Sequence, residues 1–361
     1  MIDKKYEDTP ITNWFKIKNK DYIPSPKYFY YNHSENLINF SVERPKNYYK
    51  IGTIRWNKYD TMLNICCSKN TWKFSNKNKN KITYFKNLVF DNFKRDQIPI
   101  LKSNLQKCVR RKLINPSITT ALTLLCLDSS QLLRRLPIIM LEDAMLNNDI
   151  LLLIWLVCAH SKGFSINDFF MLKIINMVHF LASYKFRESY GYLDKFNLKK
   201  YKLNDLNNNE KNILWALQLR CSYGGMTGDI RMINFFTKKW FSRFNEKFIL
   251  EDNPNALNIE DLRIMTLNDI HVSSIDFHCT NIIKFIKNKY PKYSESEIKN
   301  SIWYNRSNKN YREYLTDENN LNTQNIHSDS ITIINANNVW KEISNYVNYI
   351  SKVILKNNFM E

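Results

Sequence analysis

The sequence predicts a mostly α protein, a multi-helix bundle preceded by a small β-containing N-terminal domain. Three observations lead there. Residues 22–90 are rich in Tyr, Phe, Trp, Ile, Val and Thr, broken by Pro, Asn and Lys, and no Ala occurs before Ala121. That texture suits short strands. From about residue 96 the apolar residues recur at helical spacing, as Leu101, Leu105, Val109 and Leu113 do. Finally, 44% of the chain is hydrophobic and 14% aromatic, enough for a real core and against global disorder.

The elements follow in order. Strand-like runs fall at residues 27–31, 48–51 and 81–85, with an exposed polar loop expected at 75–81. The stripe from Leu101 to Leu113 makes a first helix, crowded with Lys102, Lys107, Arg110, Arg111 and Lys112. Ser117 is placed to cap a second helix, and a third runs from about 131 to 146 with Pro137 as a kink. Asp149 can cap a fourth, whose apolar run at 150–159 is about half a membrane span and reads as a buried helix. Further helical patterns lie at 167–186, 210–222, 229–246, 259–270 and 280–289. Ser294 and Glu297 have capping-box spacing. Residues 337–357 form an amphipathic helix with Val339, Trp340, Ile343, Val347, Ile350 and Ile354 on one side. Two domains are expected, 1–95 and 96–360.

Charge is unevenly spread. Of the formal +19, residues 1–112 carry +15, from 24 Lys/Arg against 9 Asp/Glu, and the remaining 249 residues carry +4. A basic end of this kind attracts polyanions, RNA or DNA first and an anionic membrane surface second. The seven cysteines, Cys66, Cys67, Cys108, Cys126, Cys158, Cys221 and Cys279, include no CxxC. Their odd count and apolar settings point to reduced thiols. With no apolar signal segment at the N-terminus, the expected setting is intracellular, in cytoplasm or nucleus, or inside a virion.

Residues 105–163 contain Gln106, Lys107, Arg110 and Arg111 on one basic helix, then Arg134, Arg135, Leu136, Glu142 and Asp143 on another. This pattern resembles the helical collar, or oligomerisation, region of clamp-loader-like and replication-restart ATPases. It covers about a sixth of the chain, and no GxxxxGK[ST] motif occurs. The resemblance therefore implies either assembly, with a homo-oligomer as one form of it, or association with replication machinery, and not ATP hydrolysis. The Asn/Lys-rich style is similar to that of large DNA-virus proteins.

Four constellations are candidates for chemistry. Residues 220–231 gather three of the six glycines, Gly224, Gly225 and Gly228, between Arg220 and Arg231. They suit either a phosphate-contacting turn or a tight helix connection with Asp229 as N-cap. His271, Asp276, His278 and Cys279 are all competent ligands for a divalent metal, or a locally bonded group. Glu142 and Asp143 read as members of an internal ion pair, with Arg135 on the same helical face. Trp303, Arg306, Tyr311 and Arg312 mix aromatic and basic groups, as single-strand binding surfaces do.

The function expected is that of a non-enzymatic nucleic-acid-binding accessory protein, in a replication or genome-maintenance assembly. Its phosphate contacts would be Lys107, Arg110, Arg111, Arg220, Arg231, Arg306 and Arg312 with the three glycines, and it needs no cofactor. A metal-dependent enzyme acting on nucleic acid and a structural virion component are the alternatives.

Overall fold

The structure is a computed structural model. It describes residues 25–56, 59–77, 93–190, 198, 201, 203–253, 257, 262–275, 280–307, 312–314 and 330–360. Strands β1 (Tyr28–Asn32), β2 (Leu37–Ser41), β3 (Tyr48–Trp56) and β4 (Thr61–Ser68) form a sheet of order β2-β1-β4-β3. The β1–β2 and β3–β4 pairs are antiparallel, and β1–β4 is parallel. Alternation selects the inner face: Phe29 and Tyr31 are fully buried, while the alternate residues Tyr28 and Tyr30 are half-buried. Phe29 stacks on its cross-strand partner Phe40 at 3.9 Å.

Ten α-helices lie among the described residues. They are α1 (Lys69–Lys77), α2 (Ile98–Arg110), α3 (Ile114–Asp143), α4 (Ile150–His160), α5 (Asp168–Ser183), α6 (Asn208–Ser222), α7 (Thr227–Asn245), α8 (Thr280–Lys289), α9 (Glu295–Ile302) and α10 (Ser330–Met360). A two-residue pair, β5 (Phe186–Arg187) with β6 (Glu313–Tyr314), completes the regular structure. The protein is thus mostly α with a small N-terminal sheet, as its sequence predicts.

Helix α4 explains how the parts join. Its residues 150–159 are apolar all round and all buried. One side meets the sheet: Tyr31 packs on Trp155 at 5.0 Å, and the Trp155 indole donates to the Cys66 carbonyl at 3.1 Å. Other sides meet α3 and α6. Helix α6 touches the sheet as well, through Trp56 on Trp215, Asn212 accepting from the Phe40 N–H, and Tyr59 donating to Gln218. Strands and helices share one continuous core. The division expected near residue 95 separates two textures of sequence, not two cores.

The same burial bears on assembly. Leu124, Leu125, Leu151, Leu152, Leu153 and Trp155 are all buried within the single chain, so none of them leaves an apolar face for another subunit to cover.

Several local expectations are corrected. Residues 75–77 are the end of α1 rather than an exposed loop, and Ser75 is buried, donating to the Ser165 carbonyl at 2.7 Å. Residues 78–81 and the expected strand at 81–85 lie outside the described residues. Ser117 sits one turn inside α3 and donates to the Leu113 carbonyl instead of capping the helix. The break in α3 falls at Asp128 (φ −161°, ψ 91°), not at Pro137, which is inside helix. The Asp128 carboxylate accepts from the Ser130 and Gln131 N–H groups, so it caps the second half. At 262–270 there is a 3-10 turn over Leu267–Asp269 in place of the expected helix. Asp269 takes the Thr266 N–H and is held by Arg263, so its side chain replaces a helical backbone acceptor. The predicted C-terminal helix forms, with Val339, Ile343 and Val347 buried along its seam.

Candidate nucleic-acid interface

Three segments far apart in sequence converge on one cleft of about 840 Å³. Helix α2 supplies Lys102, Gln106, Lys107 and Arg110, the face opposite its Leu101–Leu105–Val109 stripe. The second half of α3 supplies Gln131, Arg134, Arg135, Ile138 and Glu142, spaced to share one helical face. The turn between α6 and α7 supplies Arg220, Tyr223, Gly224, Gly225, Met226, Gly228 and Asp229. Tyr190, Trp303 and Ser307 complete the rim and floor. Two features that were separate in the sequence, the basic helices and the glycine turn, therefore face each other.

The glycines have a conformational reason. Gly224 and Gly225 take φ of +74° and +135°, values an L side chain rarely adopts. They let α6 reverse into α7 within a few residues. Met226, not Asp229, occupies the N-cap of α7, and it offers no side-chain cap. Asp229 lies in the first turn, where its carboxylate is 3.9 Å from Arg135. Arg220 staples this turn to α3: it donates to the Gly224 carbonyl at 2.9 Å and to the Arg134 carbonyl at 2.8 Å.

The floor is a polar network. Arg110 is buried and pairs with Asp143 at 2.5 Å and Glu142 at 3.5 Å, and it donates to the Ser307 carbonyl at 2.6 Å. Gln106 donates to both carboxylates at 2.8 Å and accepts from Arg135. Glu142 and Asp143 are thus ion-paired, as expected, but their cation is Arg110 from α2 rather than Arg135. Lys107 donates to the Ser307 hydroxyl at 2.5 Å, and Lys102 to Gln131 at 2.9 Å.

The cleft is electropositive. Its described lining holds six cations, Lys102, Lys107, Arg110, Arg134, Arg135 and Arg220, against two carboxylates, Glu142 and Asp229. Asp143, behind Arg110, adds a third acid and leaves a formal excess of three positive charges. Titration follows the same field. Burial, then the neighbouring Arg135, lowers the Lys102 ammonium. Burial lowers Arg220, with Arg134 and Arg135 contributing in the same direction. Around the cleft mouth stand exposed Tyr190, Met226 and Trp303.

Several cations proposed as phosphate contacts are engaged elsewhere. Arg306 is buried and donates to the Ser351 hydroxyl at 3.0 Å. Arg312 is buried, with its guanidinium on the Val109, Leu181 and Ala182 carbonyls. Arg111 donates to the Lys107 and Arg306 carbonyls. Arg111 and Arg312 tie α2 to the C-terminal segments, Arg306 reaches α10, and none of the three lines the cleft. Arg231 is exposed but lies outside the cleft lining. Tyr311 lies outside the described residues.

Of the metal candidates, Asp276, His278 and Cys279 lie outside the described residues. His271 is half-buried, with its Nδ1 2.7 Å from the Ser273 hydroxyl. Burial first, then Arg111, Arg306 and Lys107, pushes its pKa down to about 4. Of these causes, the three cations alone would also repel a divalent metal ion. No group of three metal-binding side chains occurs among the described residues. Burial pushes the thiols of Cys66, Cys67, Cys108 and Cys158 up to about 11 or 12, which makes them poor nucleophiles.

Reading by segment missed that Lys102, Gln131, Tyr190 and Tyr223 belong to the site. A signal existed for two of them: Lys102 and Gln131 sit on the polar stripes of otherwise apolar helices. Comparison with known proteins returns no matching family model, no matching curated protein and no matching solved structure. No helix among the described residues is long and apolar enough to cross a membrane.

Proposed function

We propose that this chain is a nucleic-acid-binding accessory protein whose binding surface is the basic cleft between α2, α3 and the glycine turn. The observation that carries the reading is the imbalance of charge in a concave site, six cations against three carboxylates. Lys102, Arg134 and Arg220 have hydroxyl-free, uncharged partners, the Gln131 amide and backbone carbonyls. Their hydrogen bonds orient them without cancelling their charge, so the site attracts phosphate by counterion release. The resemblance of α2 and α3 to replication-associated collars supports a genome-maintenance setting. The cationic surroundings of His271 weigh against a metal-dependent enzyme there.

The test is fluorescence anisotropy with labelled oligonucleotides across a salt series. Wild type is expected to bind with a steep salt dependence. Lys102→Glu/Arg134→Glu is expected to bind at least about tenfold more weakly, with the salt slope reduced by about 1.4 for single strands. The melting temperature of this variant should stay close to that of wild type, since Arg134 is exposed and Lys102 half-buried. Unchanged affinity and slope in the variant would reject the cleft as the binding surface.

A further inference from the structure

We infer that the cleft accepts single-stranded nucleic acid in preference to duplex, with phosphates on its floor and an unstacked base against Trp303. This rests on the nucleic-acid reading above and goes further by choosing the form of the ligand.

The first observation is depth. Lys107 and Arg220 are only 7% and 4% exposed, yet both line the cleft. Their charge is within reach of a thin, flexible strand that can enter the recess. A duplex is stiff over many turns and carries its phosphates on a convex surface, so it meets the rim and not the floor. The volume of about 840 Å³ lies in the range that encloses a small organic ligand. It admits a short stretch of one strand, not a length of double helix.

The second observation is the rim. Trp303 is 45% exposed and Tyr190 39% exposed, large apolar surfaces beside a basic recess. Both rings are held from behind, Trp303 edge-to-face on Tyr304 at 4.8 Å and Tyr190 on Phe235 at 5.2 Å. Rings anchored in this way lose little freedom when a base stacks on them. Only an unstacked base can use them, because duplex bases are already stacked on each other.

The third observation is the backbone that presents Trp303. Residues Trp303–Ser307 form a π-helical turn at the end of α9. Such wide turns are infrequent and recur at functional sites. Here the turn places an aromatic ring on the rim and Ser307 on the floor beside Lys107 and Arg110.

The experiment uses the full chain and labelled oligonucleotides of about 12 nucleotides. Poly-dT and poly-rU represent the two single-strand chemistries, and a blunt DNA duplex and an RNA duplex serve as comparators, all at one salt concentration. At least one single strand should bind about tenfold or more tightly than its duplex. Trp303→Ala should weaken single-strand binding by about tenfold, with duplex binding changed less than about twofold and Trp303→Phe retaining most of the affinity. Circular dichroism checks that the exposed substitution leaves the fold intact. Equal affinity for both forms, or equal loss on both in Trp303→Ala, overturns the single-strand preference. If Lys102→Glu/Arg134→Glu still abolishes binding in that case, the broader nucleic-acid reading survives. Failure of wild type to bind any of the four oligonucleotides overturns both.

Discussion

Arg306 and Arg312 on one side, and Lys102, Arg134 and Arg135 on the other, are cations in two different regions, and Arg110 on the cleft floor stands between them. Arg306 and Arg312 lie in the seam where α2 meets the C-terminal segments, and both are buried. Their guanidinium groups end on Ser351 and on three backbone carbonyls. The other three line the open cleft. Their partners are the Gln131 and Gln106 amides, the Tyr223 carbonyl and, at 3.9 Å, Asp229. The difference teaches that net charge is a poor guide to a binding surface. A buried guanidinium satisfied by carbonyls is a strut between segments, and a guanidinium at an opening keeps its field available to a ligand.

The comparison can be broken most severely at Arg110. Arg110→Met should destabilise the protein by about 3–5 kcal/mol in urea unfolding, because Asp143 keeps a fully buried carboxylate with its cation removed. Arg110→Met/Asp143→Leu should recover much of that loss, since the double change removes the uncompensated charge. A single variant as stable as wild type would contradict the pairing with Asp143 as the anchor of the cleft floor.

A smaller effect is expected at Arg312. Arg312→Gln removes charged donors from the Val109, Leu181 and Ala182 carbonyls and should cost about 2 kcal/mol. Oligonucleotide affinity, measured on the folded fraction, should be unchanged. Lower affinity at intact stability would mean that this arginine reaches the ligand.

The smallest effect sharpens the seam itself. Burial first, and then Arg111, Arg306 and Lys107, push the His271 pKa down to about 4 from an ordinary 6.5. The unfolded chain takes up that proton first as pH falls. The stability held by the neutral ring is fully present above about pH 6.5 and is lost as pH drops towards 4. For a half-buried ring the loss is about 1 kcal/mol after solvent screening. Comparing urea midpoints at several pH values in wild type and His271→Gln isolates it. The variant should show a flatter profile across that window, and parallel profiles would contradict the assigned field.

Much of the fold was legible locally. The stripe Leu101–Leu105–Val109 is the buried side of α2, and the run at 150–159 is a buried helix. The Tyr- and Phe-rich runs at 27–31 and 48–51 are strands of one sheet. The glycine cluster is a demanding turn in fact as well as in composition. What was not legible has physical causes. Helix α1 has a poor intrinsic signal, Asn- and Lys-rich, and its Thr71 and Ser75 bond His33 and Ser165 from other segments. The break at Asp128 depends on a carboxylate choosing two nearby N–H groups over solvent.

The sequence by itself determined the class of the protein, the period and burial of its main helices, the place of its tight turn and the presence of polar stripes on α2 and α3. These depend on spacing and on backbone preferences within a few residues. Only the tertiary structure decided that the two stripes and the turn enclose one cleft, and which cations open onto it. Arg220 is positioned by a carbonyl 86 residues away, and Arg312 by one 203 residues away. No local pattern encodes such a partner, because a guanidinium is long, multiply donating and indifferent to which chain segment brings the acceptor.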